Sequence, residues 1–118
     1  MPKRILIAED DVLTREMLTT FAEIHGYDAT AVSDGFDLLD LAADEKFDLI
    51  ITDLMMANLS GASAAEMLKS QGVTTPIIAL TALSPEETRL VQDDFIKIYY
   101  KPCDFAELFE HVESLIGK

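Results

Sequence analysis

Positive charge is scarce in this chain. Lysine and arginine number 9 against 22 aspartates and glutamates, for a formal net charge of −13. A field of that sign disfavours DNA, RNA and anionic membranes as direct partners, because phosphate-rich surfaces are bound through clustered cations. Cysteine is nearly absent: Cys103 stands alone, which excludes an intramolecular disulfide and a cysteine-rich metal site. The two histidines, His25 and His111, lie far apart with no HExxH pattern, and are expected at helix ends or on solvated faces. Glycine-rich phosphate loops of the GxxxxGK(S/T) or GxGxxG type are missing, as is a Ser-His-Asp or Cys-His arrangement, so nucleotide binding and triad hydrolysis lack support. No apolar run approaches the roughly eighteen residues that span a bilayer, and MPKRILIAEDD has no signal-peptide core. A cytoplasmic protein is expected. At 118 residues the chain fits one domain, 1–118, with no linker or repeat.

What is present is a regular alternation. Lys3-Arg4 leads into the apolar strand ILIA, and VLTREMLTTFAEIHG then carries apolar residues at helical spacing, with Gly26 suited to stop the helix. YDATAV reads as a second strand and FDLLDLAADE as a second helix. FDLIIT is a near-continuous apolar run, the pattern of a strand buried on both faces. The loop LMMANLSG precedes a helix around AAEMLKS that ends near Gly72, and Pro76 opens a fourth strand, PIIAL. Ser84, Pro85 and Glu87 make a helix start with a capping box, for a helix expected to run to about Asp93. IKIYY reads as the fifth strand and Asp104 through Ile116 as the last helix, with Asp104 and Glu107 at capping-box spacing. The alternation predicts an α/β fold: a five-stranded parallel sheet with five helices covering both faces.

Ligands of open parallel sheets gather beyond the carboxyl ends of the strands, where strand order reverses. The polar residues follow that rule. Glu9 and Asp10 end the first strand, Asp53 the third, Thr81 the fourth and Lys101 the fifth. With strand order 2-1-3-4-5, the first and third strands are neighbours and their acidic groups face each other. Carboxylates crowded in a partly dehydrated cleft need a metal, a lysine or a proton. Asp10 and Asp53 offer the hard oxygen ligands that suit Mg²⁺, with Glu9 reaching it through water and the Met55 carbonyl as a further candidate ligand. Asp53 is then a nucleophile for an electrophilic phosphorus, giving an aspartyl phosphate. Lys101 pairs with Asp53 before reaction and with a phosphoryl oxygen afterwards, while the Thr81 hydroxyl and nearby backbone amides supply further donors. Met55 and Leu83 beside the site are apolar and provide no general base for hydrolysis.

The fragments AEDD, ITDLMM, ALTA and YKP, in this order and across essentially the whole chain, resemble the receiver domain of bacterial two-component response regulators. The resemblance implies a flavodoxin-like sheet of order 2-1-3-4-5 and Asp53 as the residue phosphorylated by a sensor histidine kinase or a histidine phosphotransfer protein. It further implies Mg²⁺ held by Asp10, Asp53 and the Met55 carbonyl with Glu9 assisting, Thr81 and Lys101 as the residues that contact the phosphoryl group, and slow loss of that group to reset the domain. A downstream protein target follows, with a surface formed by helix four, strand five and helix five that reorganises and is available for homodimer formation. On this reading the chain is a signalling domain with intrinsic chemistry on itself rather than an enzyme.

Departures from the family pattern set the alternatives. Met56-Ala57 replaces the usual Met-Pro, which should loosen the loop after Asp53, and Ser60-Gly61 replaces aspartate-glycine. The aromatic switch position, three residues before the lysine, is Ile98, while Cys103 replaces a phenylalanine after Lys101-Pro102. A receiver-like docking module that acts without phosphorylation is one alternative. A flavin-binding electron carrier is another, opposed by Glu9-Asp10-Asp11 where a phosphate-gripping loop would be required. If Lys118 is the natural end, output is expected through protein contacts or phosphorelay. The isomer of the Lys101-Pro102 bond is left open.

Overall fold

The computed structural model describes residues 1–118. Five strands, β1 (Arg4–Ala8), β2 (Asp28–Val32), β3 (Leu49–Thr52), β4 (Ile77–Thr81) and β5 (Lys97–Tyr100), form one sheet of order β2-β1-β3-β4-β5 in which every pairing is parallel. The helices are α1 (Val12–Ile24), α2 (Gly35–Asp44), α3 (Gly61–Ser70), α4 (Pro85–Thr88) and α5 (Phe105–Ile116). The expected architecture and strand order are therefore found.

Strand periodicity sorts the core into two layers. Ile5 and Ile7, Leu49 and Ile51, and Ile78 and Leu80 face one side, where Leu18 and Ala22 of α1 and Leu108, Phe109 and Val112 of α5 cover them. Leu6 and Ala8, Ile50, and Ile77 and Ala79 face the other, under Leu38 and Ala42 of α2 and Ala64, Ala65 and Leu68 of α3. The three inner strands are buried throughout their apolar length, as strands covered on both faces must be. Small residues at the α2 and α3 contacts let those helices approach the sheet closely. Phe109 is fully buried between the stacked rings of Phe21, at 6.3 Å, and His25, at 5.5 Å. His25 caps the end of α1 with its Nδ1 bonded to the Phe21 carbonyl, and Gly26 follows at φ +88°, the left-handed stop expected there.

Helix boundaries follow their caps. Asp11, Asp34, Ser60 and Asp104 each accept a backbone N–H in the first turn of the helix they precede. Ser84 and Glu87 form the full capping box with Pro85 at the start of α4. At Asp104 only the forward half forms, since its carboxylate takes the amides of Ala106 and Glu107. The expectation that α4 reaches Asp93 is corrected: it ends after one turn at Thr88, and a separate 3₁₀ turn spans Gln92–Asp94. PEETRLVQDD has too few apolar residues to make a stripe, Leu90 is left 93% exposed, and a helix this short has little stability without a buried face. The Thr88 hydroxyl also bonds the Pro85 carbonyl and the Tyr100 hydroxyl, fixing the turn locally.

Phe109→Ala removes the ring around which α1 and α5 pack. We expect a loss of about 3–4 kcal/mol in unfolding free energy by urea titration, with Phe109→Leu losing markedly less; equal stability of all three proteins would contradict the packing described.

Candidate functional site

The site is assembled by sheet order. β1 and β3 are neighbours, and the Asp53 amide donates to the Ala8 carbonyl at 3.0 Å, so the residues that follow the two strands start side by side. Glu9 continues β1, its amide bonded to the Val32 carbonyl, and its side chain is 1% exposed. Asp10 turns outward into solvent, and Asp11 leaves the cleft to cap α1 through the Thr14 amide and hydroxyl. The expected acidic trio is thus brought together: one oxygen each from Glu9, Asp10 and Asp53 lies within 4.8 Å of the others.

Lys101 answers the charge of the two buried members. Its ammonium donates to Glu9 Oε1 at 2.6 Å and to Asp53 Oδ2 at 2.8 Å, while its backbone amide donates to the Thr81 carbonyl at 2.7 Å. The Lys101-Pro102 bond, left open by the sequence, is cis. Burial pushes the Glu9 carboxyl above the ordinary carboxylate range, and its bonds to Lys101 and the Asp11 amide only partly offset this. Burial alone would lower the Lys101 ammonium, but its bonds to Asp53 and Glu9 prevail and raise it. Glu9 is the group that most needs the cation.

Asp53 is held from three directions. Its Oδ2 takes Lys101, its Oδ1 takes the Met55 amide at 3.1 Å, and its carbonyl takes the Thr52 hydroxyl at 2.8 Å. Gly61 opens α3 directly against this residue: a Cβ there would lie 1.8 Å from the Asp53 carbonyl oxygen. The sequence shows the glycine but not the backbone contact that requires it. Met55 itself is exposed. Thr81 lies at the end of β4, fully buried, but its hydroxyl accepts the Leu83 amide at 3.1 Å and makes no hydrogen bond with Asp53, Glu9 or the Lys101 ammonium. Its own O–H proton remains available for donation from this backbone-bound position.

The donor set suits a hard divalent cation, since the three converging groups are all carboxylates and no soft ligand lies among them. Sequence reasoning missed the fastening of the β3–α3 loop by Asp34 and Asn58, two residues that carried no motif. His111, by contrast, is bonded through Nδ1 to the Tyr99 hydroxyl and takes no part in the acidic cleft.

Lys101→Ala leaves Glu9 and Asp53 facing each other without a cation, and we expect a cost of about 3 kcal/mol at neutral pH. The Glu9 carboxyl, raised already, is then raised further, so the folded state holds a proton the unfolded chain has lost. Stability of the variant must therefore fall as pH rises above the ordinary carboxylate range and recover as pH is lowered back toward it. Urea titrations of both proteins across this range check the sign; a constant difference would show that the clamp does not govern Glu9.

Comparison with known proteins places this geometry. The chain matches the response regulator receiver domain family over residues 5–113. It is 35% identical to the response regulator MprA of Mycobacterium sp. (strain KMS) over 100% of this chain and 52% of that protein, so it spans about half the length of the curated relatives it matches. Among solved structures, the receiver domain of the Francisella response regulator 1452 is 32% identical with a TM-score of 0.91, covering 97% of this chain and 96% of that one. The receiver domain of the sensor histidine kinase PA1611 from Pseudomonas aeruginosa PAO1, solved with a magnesium ion coordinated in its active-site cleft, is 28% identical with a TM-score of 0.90, covering 100% of both chains. The response regulator TrrA of Thermotoga maritima, solved with Mg²⁺ and BeF, is 30% identical with a TM-score of 0.87, covering 96% of this chain and 98% of that one. With its acidic trio, its lysine clamp and its 2-1-3-4-5 sheet, this chain belongs to the response regulator receiver domain family.

Proposed function

We propose that the chain is a phosphoacceptor signalling domain that takes a phosphoryl group from a sensor histidine kinase or a histidine phosphotransfer protein onto Asp53. The observation that carries this reading is the Lys101 ammonium bridging Glu9 and Asp53, with Asp10 close enough to complete a three-carboxylate cation site. An Asp53 oxygen forms the new bond to phosphorus as the phosphorus–nitrogen bond to the donor imidazole breaks and the imidazole leaves with the bonding pair. Lys101 keeps its place at Glu9 and turns its second bond from Asp53 Oδ2 to a phosphoryl oxygen, so no cation need enter or leave for that contact. The Thr81 hydroxyl and the amides beyond Asp53 face another phosphoryl oxygen. Mg²⁺ is the divalent ion proposed for Glu9, Asp10, Asp53 and the Met55 carbonyl, and when bound it neutralises charge on the carboxylates and the incoming phosphoryl group. Met55 and Leu83, the side chains expected beside the phosphoryl group, are apolar and offer no general base to activate water, which favours a persistent acyl phosphate and a signalling rather than an enzymatic role.

The mouth of the cleft suits a protein donor. Val12, Leu13 and Met17 on α1 and Met55 on the loop are exposed apolar residues around the acidic opening. The face built from α4, β5 and α5 is the proposed output surface, toward a downstream protein or a second copy. The residues 1–118 act as one receiver unit in this scheme, in a cytoplasmic setting; no helix is long and apolar enough to cross a membrane.

Intact-mass spectrometry after incubation with a small phosphodonor, with and without Mg²⁺, tests the proposal. One phosphoryl addition that requires Mg²⁺, is abolished in Asp53→Ala and is slowed roughly 100-fold in Lys101→Ala is expected. Incorporation undiminished in Asp53→Ala would move the acceptor elsewhere, and no incorporation from any donor would favour a docking module that acts without phosphorylation.

A further inference from the structure

The segment 54–60, which joins β3 to α3, has Ala57 where a proline would have stiffened it, and the sequence predicts a loosened loop. The structure shows it fastened from outside. Asn58 sits at φ +70°, in the left-handed region that asparagine tolerates better than most residues, and its side-chain amide donates to Asp34 Oδ2 at 3.2 Å. A single parallel bridge pairs Asp34 with Ala57. Gly35, the next residue, presses on the same loop: a Cβ there would lie 1.9 Å from the Leu59 carbonyl oxygen. At its other end the loop is tied to the reacting group, since the Met55 amide donates to Asp53 Oδ1 at 3.1 Å and Gly61 packs on the Asp53 carbonyl.

We propose that Asp34 is a positioning residue of the phosphoacceptor site, acting through Asn58 to hold the loop that sets Met55 against Asp53. This rests on the reading of Asp53 and the Met55 carbonyl as the phosphoacceptor and a metal ligand. Asp34 discharges its duty to α2 with one oxygen, Oδ1, which accepts the Asp37 amide at 2.9 Å. Its second oxygen is committed across the surface to Asn58, 24 residues further along the chain. An exposed hydrogen bond of this kind adds little to global stability, so its effect is local, on the placement of the backbone two and three residues away. Met56 is partly buried against the core and transmits the placement, because it anchors the loop between Asn58 and Met55. A slack loop would let the Met55 amide leave Asp53 Oδ1 and free the backbone that carries the proposed carbonyl ligand.

Three variants separate this role from helix capping and from folding. Asn58→Gly keeps the positive φ but removes the amide; Asp34→Ala removes both carboxylate bonds; the exchange Asp34→Asn with Asn58→Asp restores one donor and one acceptor across the same gap. Mg²⁺ affinity by calorimetry and amide hydrogen exchange in the metal-free protein are the readouts. We expect Asn58→Gly and Asp34→Ala to bind Mg²⁺ roughly tenfold more weakly, with faster exchange at Met55 by about tenfold and unchanged exchange in β1 and β4. The exchanged pair should return both values to within about threefold of the original. Unaltered Mg²⁺ affinity and Met55 exchange in Asn58→Gly would overturn the proposal, as would faster exchange spread evenly over the whole sheet. If the unaltered protein neither binds Mg²⁺ nor accepts phosphoryl groups, the phosphoacceptor reading itself fails; exchange at Met55 then still decides whether Asp34 holds the loop.

Discussion

One ammonium group holds this site together. Glu9 is 1% exposed and Asp53 nearly so, and both stand at the ends of adjacent buried strands where their charges repel. Two such carboxylates would draw a proton or distort the cleft. Lys101 reaches them from β5, two strands away from β3 in the sheet, so the electrostatic balance depends on the whole order β1-β3-β4-β5 being correct. The cation is only partly shielded, whereas Glu9 is wholly so, and that asymmetry explains why desolvation weighs most heavily on Glu9. The same lysine that offsets the two carboxylates stands where the proposed phosphoryl oxygen would be met.

The rest of the fold serves to bring strand ends to one edge. Parallel pairing points every carboxyl end the same way, and a crossover helix after each inner strand buries the apolar faces that such strands necessarily present. The two core layers are unlike in texture. The α1–α5 side is built on aromatic stacking around Phe109, while the α2–α3 side uses alanines and glycines that bring helix backbones close to the sheet. Gly61 is the sharpest case, since the start of α3 rests on the carbonyl of the proposed nucleophile. Close approach there leaves Asp53 little freedom, and its carboxylate is aimed by backbone geometry as much as by its partners.

Much of this was legible in the residues. Apolar runs separated by capped helix starts marked the strands and their parallel sense, the family resemblance implied their order, and Glu9, Asp10, Asp53, Thr81 and Lys101 could be placed at strand ends because strand termini are marked by an abrupt change from apolar to polar. Two features were not legible, for physical reasons. The length of α4 depends on whether a weakly apolar stretch finds a surface to cover, and Ser84, Pro85 and Glu87 declare only where a helix begins. The fastening of the β3–α3 loop joins residues 24 positions apart through one side-chain amide, a contact with no periodicity and no motif. Replacement of a proline by Ala57 looked like a loss of order in the sequence, yet tertiary contacts supply the order instead.

The two loops that flank the cleft are consequently held by different means. The one after Asp53 is fixed at several points by backbone contacts at Gly35 and Gly61 and by the Asp34–Asn58 bond. The one after Thr81 has a single helical turn and an exposed Leu90, and it is held by Leu83 and Val91 against the core and by the buried Thr88, whose hydroxyl bonds that of Tyr100 on β5, with no side-chain amide clamp of the Asn58 kind. Segments with few buried contacts rearrange at the lowest free-energy cost. The Thr81 hydroxyl accepts the Leu83 amide through a lone pair and keeps its own proton to donate, so in the proposed phosphorylated form it can bond a phosphoryl oxygen without releasing Leu83, and any pull on it passes through that bond to the loop after Thr81. Tyr100, opposite Thr81 in the β4–β5 register and bonded to Thr88, lies where a shift of that loop would meet the proposed output face. An aromatic at this position can therefore report the change even with Ile98 three residues before the lysine, because coupling requires contact with the moving turn and not a fixed place in a motif.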